Sequence, residues 1–278
     1  MPRPTASRAV ALPSPAIARD FSRRLRTWFR KHGRDLPWRR TRDPYHVLVS
    51  ELMLQQTQVS RVVEFYSRFL ERFPSLDHLA ASPPARVLEA WEGLGYYARA
   101  RNLHALAVLV TRDGDGALPH DPAALRALPG IGDYTAGAVA SFAFERRAEL
   151  VDTNVARVLA RVFAPRLDPK RPRDLRQLWR IAASVLPRRG DTGWTHNQAL
   201  MELGALLCTA RVRHCAQCPV QRLCATRSAE VRRGRPAAEA RKQPTSRLAG
   251  APTTPRKAGA PSGHPRSKVR PPKRAAPD

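Results

Sequence analysis

The sequence predicts an all-α fold. Residues 20–224 show no alternating strand pattern, and many stretches of this region repeat apolar residues at the helical period. Prolines and glycines separate these stretches, as helix ends require. The hydrophobic fraction of 42% is sufficient to fill a core in a chain of 278 residues. We therefore expect a helical body between two polar segments.

Each predicted helix begins and ends at a recognisable signal. Asp20 caps the first helix, Phe21 and Leu25 lie on its apolar face, and Gly33 follows its end. Prolines punctuate the shorter helices that follow. The predicted helices cover residues 20–32, 47–54, 59–73, 75–81, 85–93, 97–112, 122–128, 133–144, 154–163, 173–186 and 195–208.

The two flanking segments are predicted to lack stable structure. Residues 225–278 contain 14 Lys or Arg, three acidic residues and nine prolines, with few large apolar residues. Such a segment cannot offset the entropy lost on ordering, so we predict a disordered basic tail rich in proline and alanine. Residues 1–19 are predicted to be flexible, and their four prolines argue against a signal peptide.

The charge of the chain indicates a polyanionic partner. Forty-nine Lys and Arg against 23 Asp and Glu give a formal charge of +26 and a pI near 11.5. Nucleic acid is the leading candidate and an anionic membrane surface the second. The longest apolar run, residues 105–110, is far shorter than the ~20 residues that span a bilayer. We expect a soluble cytoplasmic protein.

All four cysteines lie between residues 208 and 224. Cys208, Cys215, Cys218 and Cys224 are separated by six, two and five residues. Clustered thiols in a cytoplasmic protein are more often metal ligands than disulfides, and four thiolates so spaced can enclose one metal centre. The spacing alone leaves zinc and an iron-sulfur cluster as alternatives.

A glycine-containing turn joins two apolar helical segments within LRALPGIGDYTAGAVASF. We expect Gly130 and Gly132 to permit positive φ and the close approach of another backbone. The second helix begins at once, with free N–H groups at its positively polarised end. This arrangement suits a DNA phosphate, and an ordinary helical hairpin turn is the alternative.

Three motifs in order, LPGIGDYTAGAV, VDTNVARVLARV and the cysteine run, resemble the helix-hairpin-helix DNA glycosylases, the superfamily of endonuclease III. Upstream, LPWRRTRDPYHVLVSELMLQQTQV and WEGLGYYARARNLH resemble the adenine branch, the MutY-type A/G-specific adenine DNA glycosylases. The resemblance covers roughly residues 20–224. It implies a two-lobed fold, with a six-helix barrel lobe and a lobe built from both chain ends that holds a [4Fe-4S] cluster. The pattern C-x6-C-x2-C-x5-C matches that cluster, and Arg211, Arg213 and Arg222 would form a basic surface beside it.

Two carboxylates suit the chemistry that the resemblance implies. Cleavage of a glycosidic bond needs an acid for the leaving base and a negative charge near C1′. Glu51 lies among apolar neighbours, which predicts a raised pKa, and the resemblance makes it the acid that protonates adenine at N7. Asp152 can occupy a helix N-cap that keeps it ionised, and the resemblance makes it the carboxylate that stabilises or attacks the sugar cation. Asn154 keeps the catalytic amide of the adenine branch, while Thr153 departs from the glycine more usual there.

Each carboxylate has a structural alternative, a partnered acid for Glu51 and an ordinary cap for Asp152. Tyr134 stands where bifunctional relatives have a lysine, and tyrosine cannot form a Schiff base. We therefore expect base removal without efficient β-lyase activity. Tyr134 is predicted to touch the sugar or Asp152, with a helix-packing aromatic as the alternative.

The resemblance assigns four more residues to DNA. Gln56 and Tyr96 would insert into the duplex when a base is extruded, although at least one of Tyr96 and Tyr97 is expected in the core. Arg39 and Gln198 would line the base pocket, where an amide suits the donor and acceptor edge of adenine. A solvated basic face is the alternative for Arg39.

We therefore expect a monomeric, monofunctional adenine DNA glycosylase of base excision repair, associated with the nucleoid and acting on adenine opposite guanine or 8-oxoguanine in double-stranded DNA. A thymine or uracil mismatch glycosylase of the same fold is the nearest alternative. A non-catalytic iron-sulfur DNA-binding protein is another, against which the pair of carboxylates argues. The basic tail is expected to tether DNA electrostatically, and to be too short and polar for the nudix-like domain of many adenine-branch enzymes.

Overall fold

The computed structural model describes residues 10–114 and 116–233. Within these ranges it contains α-helices, short 3-10 helices and one isolated bridge between Cys208 and Arg213, but no β-strand, which confirms the predicted all-α class. The α-helices are α1 (Pro15–His32), α2 (Pro44–Leu54), α3 (Val59–Arg72), α4 (Leu76–Ala81), α5 (Pro84–Ala90), α6 (Ala98–Asp113), α7 (Pro122–Arg126), α8 (Asp133–Phe142), α9 (Thr153–Phe163), α10 (Pro172–Val185), α11 (Gly190–Leu206) and α12 (Ala225–Arg232). The 3-10 helices are Pro37–Arg39, Cys215–Gln217 and Gln221–Leu223. No helix in the described ranges has the length and apolar character that crossing a bilayer requires.

Helix α1 begins five residues before its predicted start at Asp20. The hydroxyl of Ser14 accepts a hydrogen bond from the N–H of Ile17, and Pro15 occupies the first helical position, where its fixed φ suits a helix. The prediction of a flexible segment is therefore wrong for residues 15–19. Residues 1–9 lie outside the described part of the chain.

Helix α12 occupies the first residues of the predicted disordered tail. It packs on α9, where the Thr226 hydroxyl donates a 2.7 Å hydrogen bond to the carbonyl of Arg161. Glu230 accepts a 2.6 Å bond from Arg213, which ties the helix to the cysteine segment. The prediction of disorder is therefore wrong for residues 225–232, because these contacts supply the partners that the segment lacks by itself. The remainder of the tail, residues 234–278, lies outside the described residues.

Helix α11 also begins five residues earlier than predicted. Gly190, Asp191 and Gly193 precede the predicted start at residue 195, yet all three belong to the helix. A Cβ on Gly190 would lie 1.4 Å from the carbonyl oxygen of Glu145, so only glycine allows this helix start to pack so closely. Tertiary packing therefore overrides the local turn signal.

The helices form two lobes. In one lobe, α2 packs on α3, α6 and α8, α6 packs on α4 and α5, and the short α7 packs on α8. In the other, α1 from the N-terminal part joins α9, α10, α11 and α12 from the C-terminal part. Helix α11 also packs on α8 and so links the two lobes. This arrangement confirms the predicted two-lobed fold and places the starts of α8 and α9 near the second half of α11.

Both lobes have well-packed apolar interiors. Phe21 on α1 meets Phe163 at the end of α9 edge to face, with 4.9 Å between ring centroids. Trp91 and Phe69 make a similar contact at 5.6 Å in the other lobe. Aromatic pairs of this geometry add to the stabilisation from buried area. These interiors hold the helix ends that surround the candidate site.

Candidate active site

A cleft of about 710 Å³ lies between the two lobes. Its volume falls within the range of about 300–1,000 Å³ typical of small-molecule pockets. Most of the residues predicted for catalysis or DNA binding line this cleft, whereas Tyr96 and Gly130 do not. The predicted residues that line it are Arg39, Glu51, Gln56, Gly132, Tyr134, Asp152, Asn154 and Gln198. Residues that are far apart in the sequence thus converge on one cleft.

Glu51 is an almost fully buried carboxyl on α2. Glu51 is 3% exposed, and its Oε2 accepts a 2.8 Å hydrogen bond from the hydroxyl of Tyr134. Within the described residues, Oε1 has no hydrogen-bond partner. Burial raises the pKa of Glu51 to about 7; the Tyr134 bond lowers it, nearby Asp152 raises it and Arg39 lowers it. The predicted rise in pKa is confirmed, and the group can hold a proton near neutral pH.

Asp152 caps the N-terminus of α9, as predicted. Its Oδ1 accepts a 2.6 Å bond from the N–H of Val155, and its Oδ2 accepts a 3.1 Å bond from the amide of Asn154. Burial nevertheless raises the pKa of Asp152, and these bonds and the charge of Arg157 oppose that rise. The N–H bond predicted to favour the ionised form is present, but desolvation has the larger influence on the pKa of Asp152.

Tyr134 lies in the first turn of α8. Its hydroxyl donates to Glu51 and lies 3.8 Å from the sulfur of Met201, and it makes no hydrogen bond to Asp152, one of the two contacts predicted for it. Burial and the two nearby carboxylates raise the pKa of Tyr134 well above its ordinary value. The phenol therefore keeps its proton and acts as a hydrogen-bond donor.

Arg39 and Gln198 belong to a buried network centred on Glu202. The guanidinium of Arg39 donates 2.8 Å bonds to Oε1 of Gln198 and Oε2 of Glu202, and Arg34 donates two more side-chain bonds to Glu202. Burial raises the pKa of Glu202, but the bonds from Arg34 and Arg39 outweigh it and lower the pKa to about 2. Arg39 is therefore not on a solvated basic face. The network fixes the amide of Gln198 at the cleft.

Gln56 and Tyr96 lie on two exposed loops beside the cleft. Both adopt left-handed backbone conformations, with φ of 56° and 51°, which non-glycine residues rarely do. Tyr96 is 58% exposed and Tyr97 is 40% exposed, so the expectation that one of them lies in the core is wrong. The two loops line a second cleft that adjoins the first.

The turn before α8 has one glycine with a positive φ and not two. Gly130 has a φ of 76°, and a Cβ there would lie 2.6 Å from the Cβ of Asn102. Gly132 has a φ of −94° and caps α8, so the expectation of positive φ is wrong for it. A Cβ on Gly132 would meet no atom within 4 Å in the described chain. The space beside Gly132 therefore leaves the helix N-terminus accessible from outside.

The four cysteines line one cavity beside α9 and α12. Burial raises the pKa of Cys218 to about 12, and Arg161 donates a 3.3 Å bond to the sulfur of Cys208. Arg227 also lines this cavity, and its buried Nη1 has no hydrogen-bond partner in the described chain. Within the described ranges, no three His, Cys, Asp or Glu side chains are arranged to hold a single metal ion. Arg213 is paired with Glu230 and is not a free member of the predicted basic surface.

A chain of hydrogen bonds joins this cysteine segment to Asp152. Arg157 on α9 donates a 2.9 Å bond to the carbonyl of Cys208 and a 2.7 Å bond to Oδ1 of Asn154. The amide of Asn154 in turn donates to Asp152. The position of the carboxylate therefore depends on the segment that holds the thiols.

Known proteins are similar in sequence to the region that forms this cleft. Residues 49–183 match the HhH-GPD superfamily base excision DNA repair protein family. The adenine DNA glycosylase of Mycolicibacterium smegmatis is 46% identical over 206 residues, which cover 74% of this chain and 69% of the relative. The chain belongs to the adenine DNA glycosylase family. The human adenine DNA glycosylase is 44% identical over 218 residues, and the match covers 74% of this chain and 39% of the relative.

Solved structures share the fold of this adenine DNA glycosylase family member. A thermostable thymine-DNA glycosylase matches with a TM-score of 0.70 and 30% identity, covering 77% of this chain and 98% of that one. A non-covalent endonuclease III–DNA complex matches with a TM-score of 0.65 and 24% identity, covering 80% and 100%. The chain spans 39% of the human relative and 41% of the rat relative.

Three residues of the site were not predicted from the sequence of this adenine DNA glycosylase family member. Arg34 and Glu202 complete the network around Arg39, and Arg157 connects Asn154 to the cysteine segment. Glu202 lies four positions after Gln198 on α11, and this spacing places both on one helix face. The spacing could therefore have predicted Glu202 as a member of the site. The sequence contains no comparable signal for Arg34, because its partner is 168 residues away.

Proposed function

We propose that this protein is a monofunctional DNA glycosylase that hydrolyses the N-glycosidic bond of adenine mispaired with guanine or 8-oxoguanine. The observation that carries the proposal is a buried carboxyl, Glu51, with a pKa of about 7 in the same cleft as Asp152. Two carboxyl groups in different environments can serve as acid and as electrostatic stabiliser in one reaction. The adenine DNA glycosylases of other organisms support adenine as the base.

In the proposed reaction, an adenine extruded from the duplex enters the cleft. Glu51 gives its proton to N7, the C1′–N9 bond breaks, and its electron pair leaves with the base. Tyr134 then donates its hydrogen bond to the carboxylate that remains on Glu51. Asp152 stabilises the positive charge on the sugar, held in place by Val155 and Asn154. Water adds to C1′ and releases a proton to complete hydrolysis.

Arg39 prepares Gln198 for base recognition in this proposal. Because Arg39 donates to Oε1 of Gln198, the Nε2 group is left as a donor toward the cleft. Adenine offers ring nitrogen acceptors to such a donor. A wrongly placed base would lose this bond and leave a buried amide unpaired, which costs free energy.

The proposed partner is mismatched double-stranded DNA, bound by a monomer. The formal charge of +26, the accessible N-terminus of α8 at Gly132 and the exposed Gln56 and Tyr96 support it. We further propose a cytoplasmic location in which DNA binding associates the protein with the nucleoid, and electrostatic tethering by residues 225–278.

The cysteine cavity fits a [4Fe-4S] cluster, which we propose as the cofactor. Cys208, Cys215, Cys218 and Cys224 line one cavity, and their C-x6-C-x2-C-x5-C pattern, which resembles that of the helix-hairpin-helix glycosylases, supports a cluster over zinc. The unpartnered Nη1 of Arg227 would find anionic sulfur acceptors there. When bound, the cluster would cross-link residues 208–224 and so anchor the Arg157 chain to Asp152; base hydrolysis requires no electron transfer from it.

A thymine mismatch glycosylase is the second candidate. It is favoured by one observation, the match of the fold at 30% identity to a thermostable thymine-DNA glycosylase. That likeness covers 98% of the other chain. The two functions differ in the base removed, and direct assay separates them.

The experiment that tests the proposal uses the full chain and four duplexes that differ in one pair: A opposite G, A opposite 8-oxoguanine, T opposite G and U opposite G. We expect loss of adenine, with strand cleavage after alkali but not before it, because Tyr134 has no amine to form a Schiff base. Loss of thymine or uracil alone would establish the second candidate. Iron and sulfide content with visible absorbance would test the cluster, and zinc content would contradict it.

A further inference from the structure

Two loops of strained backbone face each other across the second cleft. The first insertion loop is residues 55–58, between α2 and α3, and the second insertion loop is residues 91–97, between α5 and α6. Each loop holds one exposed residue in the left-handed region, Gln56 in the first and Tyr96 in the second. A bulky residue keeps such a conformation only when its surroundings impose it.

Arg99, in the first turn of α6, makes contacts to both loops. Its Nη1 donates bonds of 2.7, 2.8 and 2.6 Å to the carbonyls of Leu52, Met53 and Gln55. These carbonyls come from the last turn of α2 and the residue after it, where a helix leaves its carbonyls without partners. The positive charge of Arg99 is therefore placed at the negative end of the α2 dipole.

The other two nitrogens of Arg99 hold the second insertion loop. Nη2 donates to the carbonyls of Leu94 and Gly95 at 3.2 and 3.0 Å, and Nε donates to the carbonyl of Tyr96 at 3.4 Å. Nη2 also donates a 3.2 Å bond to the hydroxyl of Thr57 in the first loop. One guanidinium therefore joins both loops.

The environment of Arg99 is that of a structural connector. Arg99 is 7% exposed, and in the described chain its acceptors are backbone carbonyls and one hydroxyl, with no carboxylate among them. Its guanidinium also lies over the ring of Tyr96, 5.4 Å from the centroid. The planar, five-donor shape of arginine is needed for this set of bonds, and lysine cannot reproduce it.

We propose that Arg99 is a positioning residue that holds the two insertion loops as one rigid wedge, so that Gln56 and Tyr96 enter the duplex together when a base is extruded. The inference rests on the proposed function, because it concerns how the substrate base reaches the cleft. Preformed loops avoid an ordering cost at the moment of binding. Arg99 lines the second cleft and is absent from the cleft that contains Glu51, so its role is in extrusion and not in bond cleavage.

The test follows base extrusion directly. A duplex with 2-aminopurine at the target position opposite guanine becomes more fluorescent when the base leaves the stack. We expect wild-type protein in excess to raise the fluorescence, and Arg99→Lys to reduce the amplitude or rate of that rise about 10- to 100-fold, the range expected when positioning groups are displaced. Arg68→Lys is the matched control, because Arg68 is exposed on α3, donates to the carbonyl of Glu64 and lines neither cleft.

A second readout separates positioning from general damage. We expect single-turnover excision by Arg99→Lys to fall for adenine opposite guanine but to stay within about threefold of wild type for adenine in an unopposed bulge, where extrusion costs less. Equal losses on both substrates, or an unchanged fluorescence response, would overturn the inference. Circular dichroism checks the fold. Should Arg99→Lys not fold, Thr57→Val, which removes one acceptor, replaces it and is expected to lower the extrusion signal about two- to fivefold.

Failure of the proposed function gives a different result. Wild-type protein that extrudes 2-aminopurine without releasing adenine would overturn the proposed function and support the role of Arg99, provided that Arg99→Lys lost the fluorescence response. Wild-type protein that raised no fluorescence on any mismatched duplex would overturn the inference itself.

Discussion

The hydroxyl of Tyr134 donates a 2.8 Å hydrogen bond to Oε2 of Glu51. Burial and this hydrogen bond act in opposite directions on the pKa of Glu51: burial raises it and the tyrosine bond lowers it. The balance near pH 7 suits a group that must hold a proton and then release it. This relationship links the fold of α2 and α8 to acid catalysis.

Glu51→Gln is expected to abolish most base excision. Glutamine keeps the size of the side chain but has no acidic proton, and loss of general acid catalysis costs about 10²- to 10⁴-fold in rate. Single-turnover excision on a duplex with adenine opposite guanine measures the effect. Glu71→Gln, at an exposed position on α3, is the control. Excision by Glu51→Gln at the wild-type rate would show that another group supplies the proton.

The excision rate is expected to fall as pH rises above about 7. The active form of Glu51 is protonated, its pKa is raised by burial to about 7, and each unit above that value removes about nine-tenths of the active form. Tyr134→Phe removes the bond that lowers this pKa, so the alkaline limb should move to higher pH. A pH profile of single-turnover rates tests both statements, and a limb that stays in place in Tyr134→Phe would contradict the second.

Asn154→Leu is expected to slow excision by about 10- to 100-fold. Leucine has a similar size but cannot donate to Asp152 or accept from Arg157, and hydrogen bonds to charged groups contribute about 1.5–3 kcal/mol. The loss should appear in the rate of excision and leave DNA affinity nearly unchanged. Excision rates and binding isotherms on the same duplex test this. Asn102→Leu is unsuitable as a control, because Asn102 lies against Gly130. Ser67→Leu, at an exposed position on α3, serves instead.

Glu202→Gln is expected to destabilise the fold at pH 7 by about 3–5 kcal/mol, because it removes the counter-charge of the nearly buried Arg39 and of the partly exposed Arg34. The folded pKa of Glu202, about 2, is below its ordinary value of 4.5, so its contribution is present above pH 4.5 and is lost as pH falls toward 2. Urea unfolding at pH 7 and pH 3 measures both effects, and the deficit should shrink at pH 3. Glu89→Gln, in an exposed pair with Arg72, should leave stability nearly unchanged at both pH values, because solvent screens an exposed pair. An equal deficit at both pH values would contradict the pKa assignment.

Several properties of the site depend on local sequence and are predictable from it. The apolar neighbours of Glu51 predict its raised pKa, and the position of Asp152 at the start of an amphipathic segment predicts its cap. The cysteine spacing predicts a shared cavity. Helix starts are less predictable where packing decides them, as at Gly190, whose turn-like neighbours form a helix against the carbonyl of Glu145.

The sequence by itself determined the helices, the apolar setting of Glu51, the cap at Asp152 and the order of the motifs, because these depend on residues within a few turns of one another. Only the tertiary structure decided that Tyr134 meets Glu51 across 83 positions, that Glu202 gathers Arg34 and Arg39, and that Arg99 joins two loops. Such contacts depend on how the lobes pack. The packing of the lobes depends on the whole apolar core, and local propensity does not determine which distant partner a polar group will contact.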